Sequence, residues 1–290
     1  MSDLENAVVV VTGASRGAGR GIALELGAAG ATVYVTGRSV AGEATTDRVP
    51  GTIDDTAAEV TARGGRGIAV RCDHTVDAQV EAVFSRVRDG HGRLDVLVNN
   101  VWGGYENPDC RPLSMQPFWE QGLSQWDGMF TAGVRAHLVA SRCAVPLMLP
   151  HKRGLIVSTT ANLDVMPYMP NIFYDLSKNA VKRLAWAMAQ ELRSHNITSL
   201  ALAPGFMRTE RVVEAFVRAG MPAALDGPGG PGETTVYIGR AIVALALDAS
   251  VIARTGELLE VGALAREYGF TDVNGGQPAP FRMPEKSESA

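Results

Sequence analysis

The chain has 290 residues, of which 46% are hydrophobic and 20% charged, with 32 glycines; that is enough apolar material for a substantial core and argues against a disordered chain. The formal net charge of −4 is spread without long runs of one sign, so a nucleic-acid partner is not expected and a small soluble ligand is. Cys72, Cys110 and Cys143 are too few and too widely spaced for a disulfide framework or a zinc site, and the histidines show no ligand spacing, so no metal is expected.

The N-terminus, MSDLENAVVVVTG, lacks the basic start and long apolar core of a signal peptide. No run of about 18 apolar residues occurs, so no membrane span is expected. The expectation is a cytoplasmic protein.

In chain order, short β-rich runs lie at 7–12 (AVVVVT), 31–36 (ATVYVT), 67–72 (GIAVRC), 94–99 (LDVLVN), 155–159 (LIVST) and 197–203 (ITSLALA). Several are continuous in valine, isoleucine and leucine, as strands buried on both faces of a parallel sheet require. Helix-length segments fall between them, near 17–29, 54–64, 76–90, 124–149 and 172–195. Strand and helix patterns resume at 234–248 and 257–261 after a glycine- and proline-rich stretch at 220–232. The alternation predicts an α/β fold, a single doubly wound (Rossmann-type) parallel sheet of about seven strands with helices on both faces. One domain is read over 1–290, with a core at about 7–262, a mobile substrate loop at about 206–232 and a C-terminal tail at about 263–290.

The first strand runs into TGASRGAGRGIALEL. Gly13, Gly17 and Gly19 fall between strand and helix, where backbone can approach a phosphate and the helix N-terminus can receive it. A tight βα turn is the plainer reading of the same glycines. The next strand ends in VYVTGRS, with Arg38 where an NAD site would carry a carboxylate for the ribose hydroxyl. NADP(H) is therefore the expected cofactor, with Arg16 as a second phosphate partner; a solvated loop arginine is the alternative for Arg38.

The helix at 172–195 starts with Tyr174 and, four residues later, Lys178, which places the two on one face. The ordered set of TGASRGAG (12–19), Asp73 after the third strand, Asn99-Asn100 after the fourth, Tyr174-x-x-x-Lys178 and Pro204-Gly205 after the sixth resembles the short-chain dehydrogenases/reductases. Several longer stretches, GRLDVLVNN and TGELLEVGALAREYGFTDVNG among them, resemble a narrower subgroup of that family. The resemblance implies that Tyr174 is the general acid/base and that Lys178 binds the nicotinamide ribose and lowers the tyrosine pKa. It implies cofactor contacts at Gly13, Ser15, Arg16, Gly17, Gly19, Arg38, Asp73 on the adenine side, Asn99 near the ribose, and Pro204, Gly205, Met207 and Thr209 around the carboxamide. Homodimers or homotetramers are implied as well. The apolar surround of the tyrosine helix is consistent with a subunit contact or with burial inside one chain.

Three positions depart from the family pattern. The usual substrate-binding serine is Ala161, and the adjacent Thr160 is the expected replacement donor. The usual asparagine of the helix after the fourth strand is Gly133. The usual NNAG reads NNVW, which sets Trp102 near the nicotinamide or substrate. Trp102, Tyr105, Phe118, Trp119, Phe206 and Met207, in the segments 102–123 and 206–232, suggest an apolar substrate pocket, although loop aromatics also serve as packing. The expected activity is hydride transfer between NADP(H) and a carbonyl or alcohol, with a lipophilic ketone, aldehyde or steroid-like compound as substrate. The alternative is a catalytically weak NADP(H)-binding sensor or scaffold on the same fold.

Overall fold

The computed structural model describes residues 4–104, 116–166, 168, 171–218, 220 and 232–282. Seven parallel strands form one sheet in the order β3-β2-β1-β4-β5-β6-β7. They are β1 (Val8–Val11), β2 (Thr32–Gly37), β3 (Arg66–Arg71), β4 (Val96–Asn99), β5 (Gly154–Thr159), β6 (Ile197–Ala203) and β7 (Leu258–Glu260). The helices are α1 (Gly17–Ala28), α2 (Ile53–Ala62), α3 (Asp77–His91), α4 (Ala136–Met148), α5 (Ile172–Leu192), α6 (Glu210–Arg218), α7 (Thr235–Leu247) and α8 (Val261–Tyr268). A π-helical segment, Asp127–Arg135, leads directly into α4.

The four valines of β1 show why the strand must be apolar throughout. Val9 and Val11 belong to a core shared with Ile22 and Leu26 of α1 and Ile238 and Ile242 of α7. Val8 and Val10 face the other way, into a core built with Val83 and Phe84 of α3 and Ala140 and Ala144 of α4. A strand covered on both sides has no solvent face for polar residues. Strand order reverses at β1, whose Val10 pairs with Tyr34 of β2 on one side and with Leu97 of β4 on the other. Crossovers leave in opposite directions from this point, and the crevice at the strands' C-terminal ends is where such sheets bind ligands.

Two segments differ from the sequence expectation. The stretch expected as a loop from 206 opens with Met207 bridged to Glu233 and continues as α6; residues 219 and 221–231 lie outside the described ones. The segment after 262 completes α8, with Leu264 and Ala265 buried, and then runs back over the molecule. There the Tyr237 hydroxyl donates to the Pro278 carbonyl (3.1 Å) and Phe281 stacks near Phe206. Among the described residues no helix is long and apolar enough to cross a membrane.

Leu97, fully buried at the centre of the sheet, is a direct test of this packing. Leu97→Ala lowers the unfolding free energy by about 2–5 kcal/mol, whereas Leu247→Ala, at a position 41% exposed, changes it by less than about 0.5 kcal/mol. Urea unfolding of both variants checks the contrast.

Candidate active site

The crevice is organised by Thr12, the residue after β1. Its backbone N–H and its hydroxyl both donate to the Val98 carbonyl (3.0 and 3.2 Å). Its hydroxyl oxygen accepts from the backbone N–H groups of Asn100 (2.9 Å) and Val101 (3.3 Å). The Asn100 amide then donates to the carbonyls of Thr12 and Gly13 at 3.1 and 3.0 Å. Gly19 lies so close that a Cβ there would fall 2.3 Å from the Gly13 oxygen and 2.5 Å from the Asn100 amide nitrogen. Only glycine fits, and the α1 N-terminus is thereby held against the end of β4.

Above this junction lies a groove of about 250 Å³ lined by Gly13, Ser15, Arg16, Gly17, Arg38, Asp73, Asn100, Trp102 and Thr209, among others. The expected cofactor residues from four separated segments thus meet in one place. Gly13 and Gly17 have φ of +65° and +57°, left-handed backbone that glycine adopts without strain. The cradle, at a helix N-terminus, suits a phosphate.

Arg38 follows β2 directly, and no carboxylate stands beside it at 36–39. Arg16, expected as a phosphate partner, has its guanidinium engaged with a loop. It donates to the Pro50 and Gly51 carbonyls (3.1 and 3.0 Å) and to Ser39 Oγ (2.8 Å), and so ties 46–51 to the groove wall. At Asp73, burial would raise the carboxyl pKa, but the Thr75 backbone and hydroxyl donors and the Arg38 charge outweigh it and leave the pKa lowered.

Asn99 and Asn100 divide differently from the sequence expectation. The Asn99 side chain is fully buried and donates to Ser141 Oγ of α4 (2.9 Å) and Ser158 Oγ of β5 (3.4 Å). Asn100 is the one that lines the groove. In alternating backbone the neighbour of a core residue faces the opposite side, and sequence adjacency does not say which is which.

Lys178 and Tyr174 sit on α5 near the Trp102 end of the groove. The Tyr174 backbone N–H is capped by Asn171 Oδ1 (2.8 Å), and the Asn171 amide donates to Gln125 Oε1 (2.8 Å), so the start of the helix is fixed. The Lys178 ammonium lies 5.7 Å from the Tyr174 ring centroid. Lys178 is half-buried, and desolvation lowers the pKa of its ammonium to about 7. Thr160, expected as a substrate donor, instead gives its hydroxyl hydrogen to the Lys178 carbonyl (2.7 Å). It fastens the end of β5 to α5; while that bond stands the hydroxyl has no hydrogen for a substrate oxygen. Ala161 offers no hydroxyl in its place.

The apolar substrate residues are not gathered into one pocket. Phe118 and Trp119 are 58% and 71% exposed and pack on each other. Phe206 lies between Phe216 and Phe281, and Met207 packs against the core. Tyr105 lies outside the described residues, as does Cys110.

Four site residues carry no local sequence signal. His137 is buried, its Nε2–H donates to the Val101 carbonyl (3.1 Å), and burial first and the Lys178 charge second push its pKa down to about 3. His74 is buried against Thr36 Oγ1 (2.8 Å), with burial lowering its pKa to about 4. Glu210 reaches across the groove so that its carboxylate accepts the Gly17 backbone N–H (2.8 Å), at the spot where a phosphate would be received. Glu233, 2% exposed, underpins the Pro204–Gly205 segment. It accepts from the Gly205 backbone, its own N–H donates to the Phe206 carbonyl (2.9 Å), and burial raises its pKa to about 8. Among the described residues, no cluster of histidine, cysteine or carboxylates could hold a metal.

Comparison with known proteins agrees with this geometry. The profile of the family described as short chain dehydrogenase matches residues 7–218. Dehydrogenase/reductase SDR family member 1 of mouse is 37% identical over 281 residues, covering 95% of this chain and 86% of the mouse protein. Its human counterpart is 38% identical over 277 residues, covering 92% and 83%. Among solved structures, a short chain dehydrogenase from Mycobacterium thermoresistibile superposes with a TM-score of 0.78 at 22% identity, covering 97% of this chain and 95% of that one.

Two outcomes follow from the carboxylates. Glu210→Gln keeps an acceptor for Gly17 but removes a negative charge from the phosphate cradle, so it tightens dinucleotide binding about fivefold at low salt, measured by fluorescence titration; unchanged affinity would mean that Glu210 swings clear. For Glu233, the unfolded chain releases the carboxyl proton near the ordinary pKa of 4.5, while the folded chain holds it to about 8. The folded state is therefore increasingly disfavoured as pH rises through that window. Thermal melts of Glu233→Gln should match wild type near pH 4.5 and exceed it progressively up to about pH 8.

Proposed function

The chain belongs to the short-chain dehydrogenase family, a family of oxidoreductases, and from that premise we propose that it is an NADP(H)-dependent enzyme transferring a hydride between nicotinamide and a carbonyl or alcohol. The observation that carries the reading is a groove at the β1/β4 junction that holds the glycine cradle and Arg38 and is walled by Trp102, against which Lys178 and Tyr174 pack. Gly13, Ser15, Gly17 and Gly19 hold the pyrophosphate. Arg38 meets the 2′-phosphate, where a guanidinium can make charge-assisted bonds, and Asp73 borders the adenine. Pro204, Gly205, Met207 and Thr209 border the carboxamide.

When bound, the nicotinamide supplies or accepts the hydride. In the reducing direction Tyr174 donates its hydroxyl proton to the substrate oxygen; in the oxidising direction it takes that proton back. The Lys178 charge favours the phenolate left on Tyr174. Thr160 acts through the Lys178 carbonyl by holding this turn of α5 against β5. A lipophilic ketone, aldehyde or steroid-like substrate fits the aromatic residues near the crevice. A homodimer or homotetramer would cover Leu138 of α4 and Leu176 of α5, 48% exposed each.

A panel of ketones, aldehydes and quinones assayed with NADPH, for wild type and Tyr174→Phe, tests the reading. Turnover by wild type falls by about 10²–10⁴ in Tyr174→Phe. Binding of NADPH with no turnover on any member of the panel, or equal turnover by the variant, would favour the sensor or scaffold reading.

A further inference from the structure

The three departures from the family pattern at this end of the site are read above as separate; in the structure two of them are one feature. Trp102 lies in a slot that only glycine permits. A Cβ at Gly133 would fall 2.8 Å from Trp102 Cε3, and one at Gly104 would fall 2.4 Å from Trp102 Cζ2. The slot continues at Gly103, where a Cβ would meet the Ala132 methyl (2.8 Å) and the Gly128 carbonyl (2.9 Å). Gly128 and Gly133 both belong to the π-helical segment Asp127–Arg135. They are five residues apart, the hydrogen-bond spacing of a π-helix. The indole thus fills the space that a side chain at 133 would enter.

The indole so held has a charge on its face. Lys178 Nζ lies 3.7 Å from the Trp102 ring centroid, well inside the range of about 6 Å over which a ring quadrupole attracts a cation. The Tyr174 ring meets Trp102 edge-on, with centroids 5.8 Å apart and planes at 86°. Among the described residues the ammonium has no carboxylate and no hydrogen-bond partner. The titratable groups that face it are Tyr174 on its own helix and buried His137 on α4, neither of which brings a negative charge while its proton is on.

We propose that Trp102 is a positioning residue that holds the Lys178 ammonium through its indole face, in the space the family's asparagine would occupy, and so keeps a cation beside Tyr174 for proton transfer. Its role in turnover rests on the reaction assigned to Tyr174 and Lys178 above; the contact itself does not. The ring keeps Lys178 charged in a site whose desolvation favours the neutral amine. A structural tryptophan would fill the slot equally well with an electron-poor ring. A positioning tryptophan would not.

The experiment replaces Trp102 site-specifically with tryptophan carrying one, two and three ring fluorines, which drains the π face with little change in shape. The Lys178 titration is followed by NMR of 13Cε-labelled lysine, with Lys178→Arg assigning its signal among those of Lys152, Lys182 and Lys286. The Lys178 pKa is expected to fall stepwise along the series, by about 0.5–1.5 pH units in all. With a substrate that wild type turns over, kcat/KM falls in parallel by about 2–30-fold, and the pH limb assigned to Lys178 moves with it. A flat NMR series overturns the proposal whatever the turnover shows. A stepwise series in a protein whose activity survives Tyr174→Phe instead upholds the cation contact and removes the reaction assigned above.

Discussion

Everything in the crevice depends on the clasp between Thr12 and Asn100. One hydroxyl and one amide join the ends of β1 and β4 where the sheet reverses direction, with every contact between 2.9 and 3.3 Å. Strands at a switch point diverge beyond their last ladder bond, which is what opens a crevice. The clasp also fixes where the next residues go. The glycine turn is held against Asn100 on one side, and Val101 and Trp102 leave toward α5 on the other. The glycine turn and the Tyr174–Lys178 pair are thereby placed at opposite ends of the crevice.

The two ends of the crevice treat charge in opposite ways. At the cradle, Glu210 places a carboxylate on the Gly17 N–H, satisfying a helix N-terminus that would otherwise attract anions. A phosphate received there would have to displace the Glu210 carboxylate. At the other end a cation is kept against an aromatic face with no counter-ion among the described residues. Buried His74 and His137 both have pKa values lowered by desolvation, so the floor between the ends stays uncharged at neutral pH. The charges facing a ligand are then those at the groove rim and, as pH falls through about 7, the Lys178 ammonium.

The sheet was legible because its central strands are buried on both faces. Val8–Val11 has no alternation to misread, and the continuous apolar run fits a central parallel strand. The α6 helix was not legible, since its nine residues precede a glycine- and proline-rich stretch that dominates the local composition. Gly13, Gly17 and Gly19 were legible as a cradle because their spacing and their place after a strand are local facts. Glu210 was not, because its partner Gly17 is 193 residues away. Likewise the glycine at 133 reads as a loss in sequence and as a fit in space, since nothing in the chain order links it to Trp102. At Thr160, a hydroxyl next to a strand end is visible in sequence, and the carbonyl to which it donates, 18 residues on, is not.

The central claim is that this crevice holds NADP(H) with the Arg38 guanidinium on the 2′-phosphate. Fluorescence titration of the purified protein with NADPH and with NADH, for wild type and Arg38→Ala, tests it most directly. The account predicts that wild type binds NADPH about tenfold or more tightly than NADH, as a charged hydrogen bond to phosphate would give, and that Arg38→Ala removes most of the difference by weakening NADPH alone. Equal affinity for the two cofactors in wild type, or a preference for NADPH that survives loss of Arg38, would contradict it.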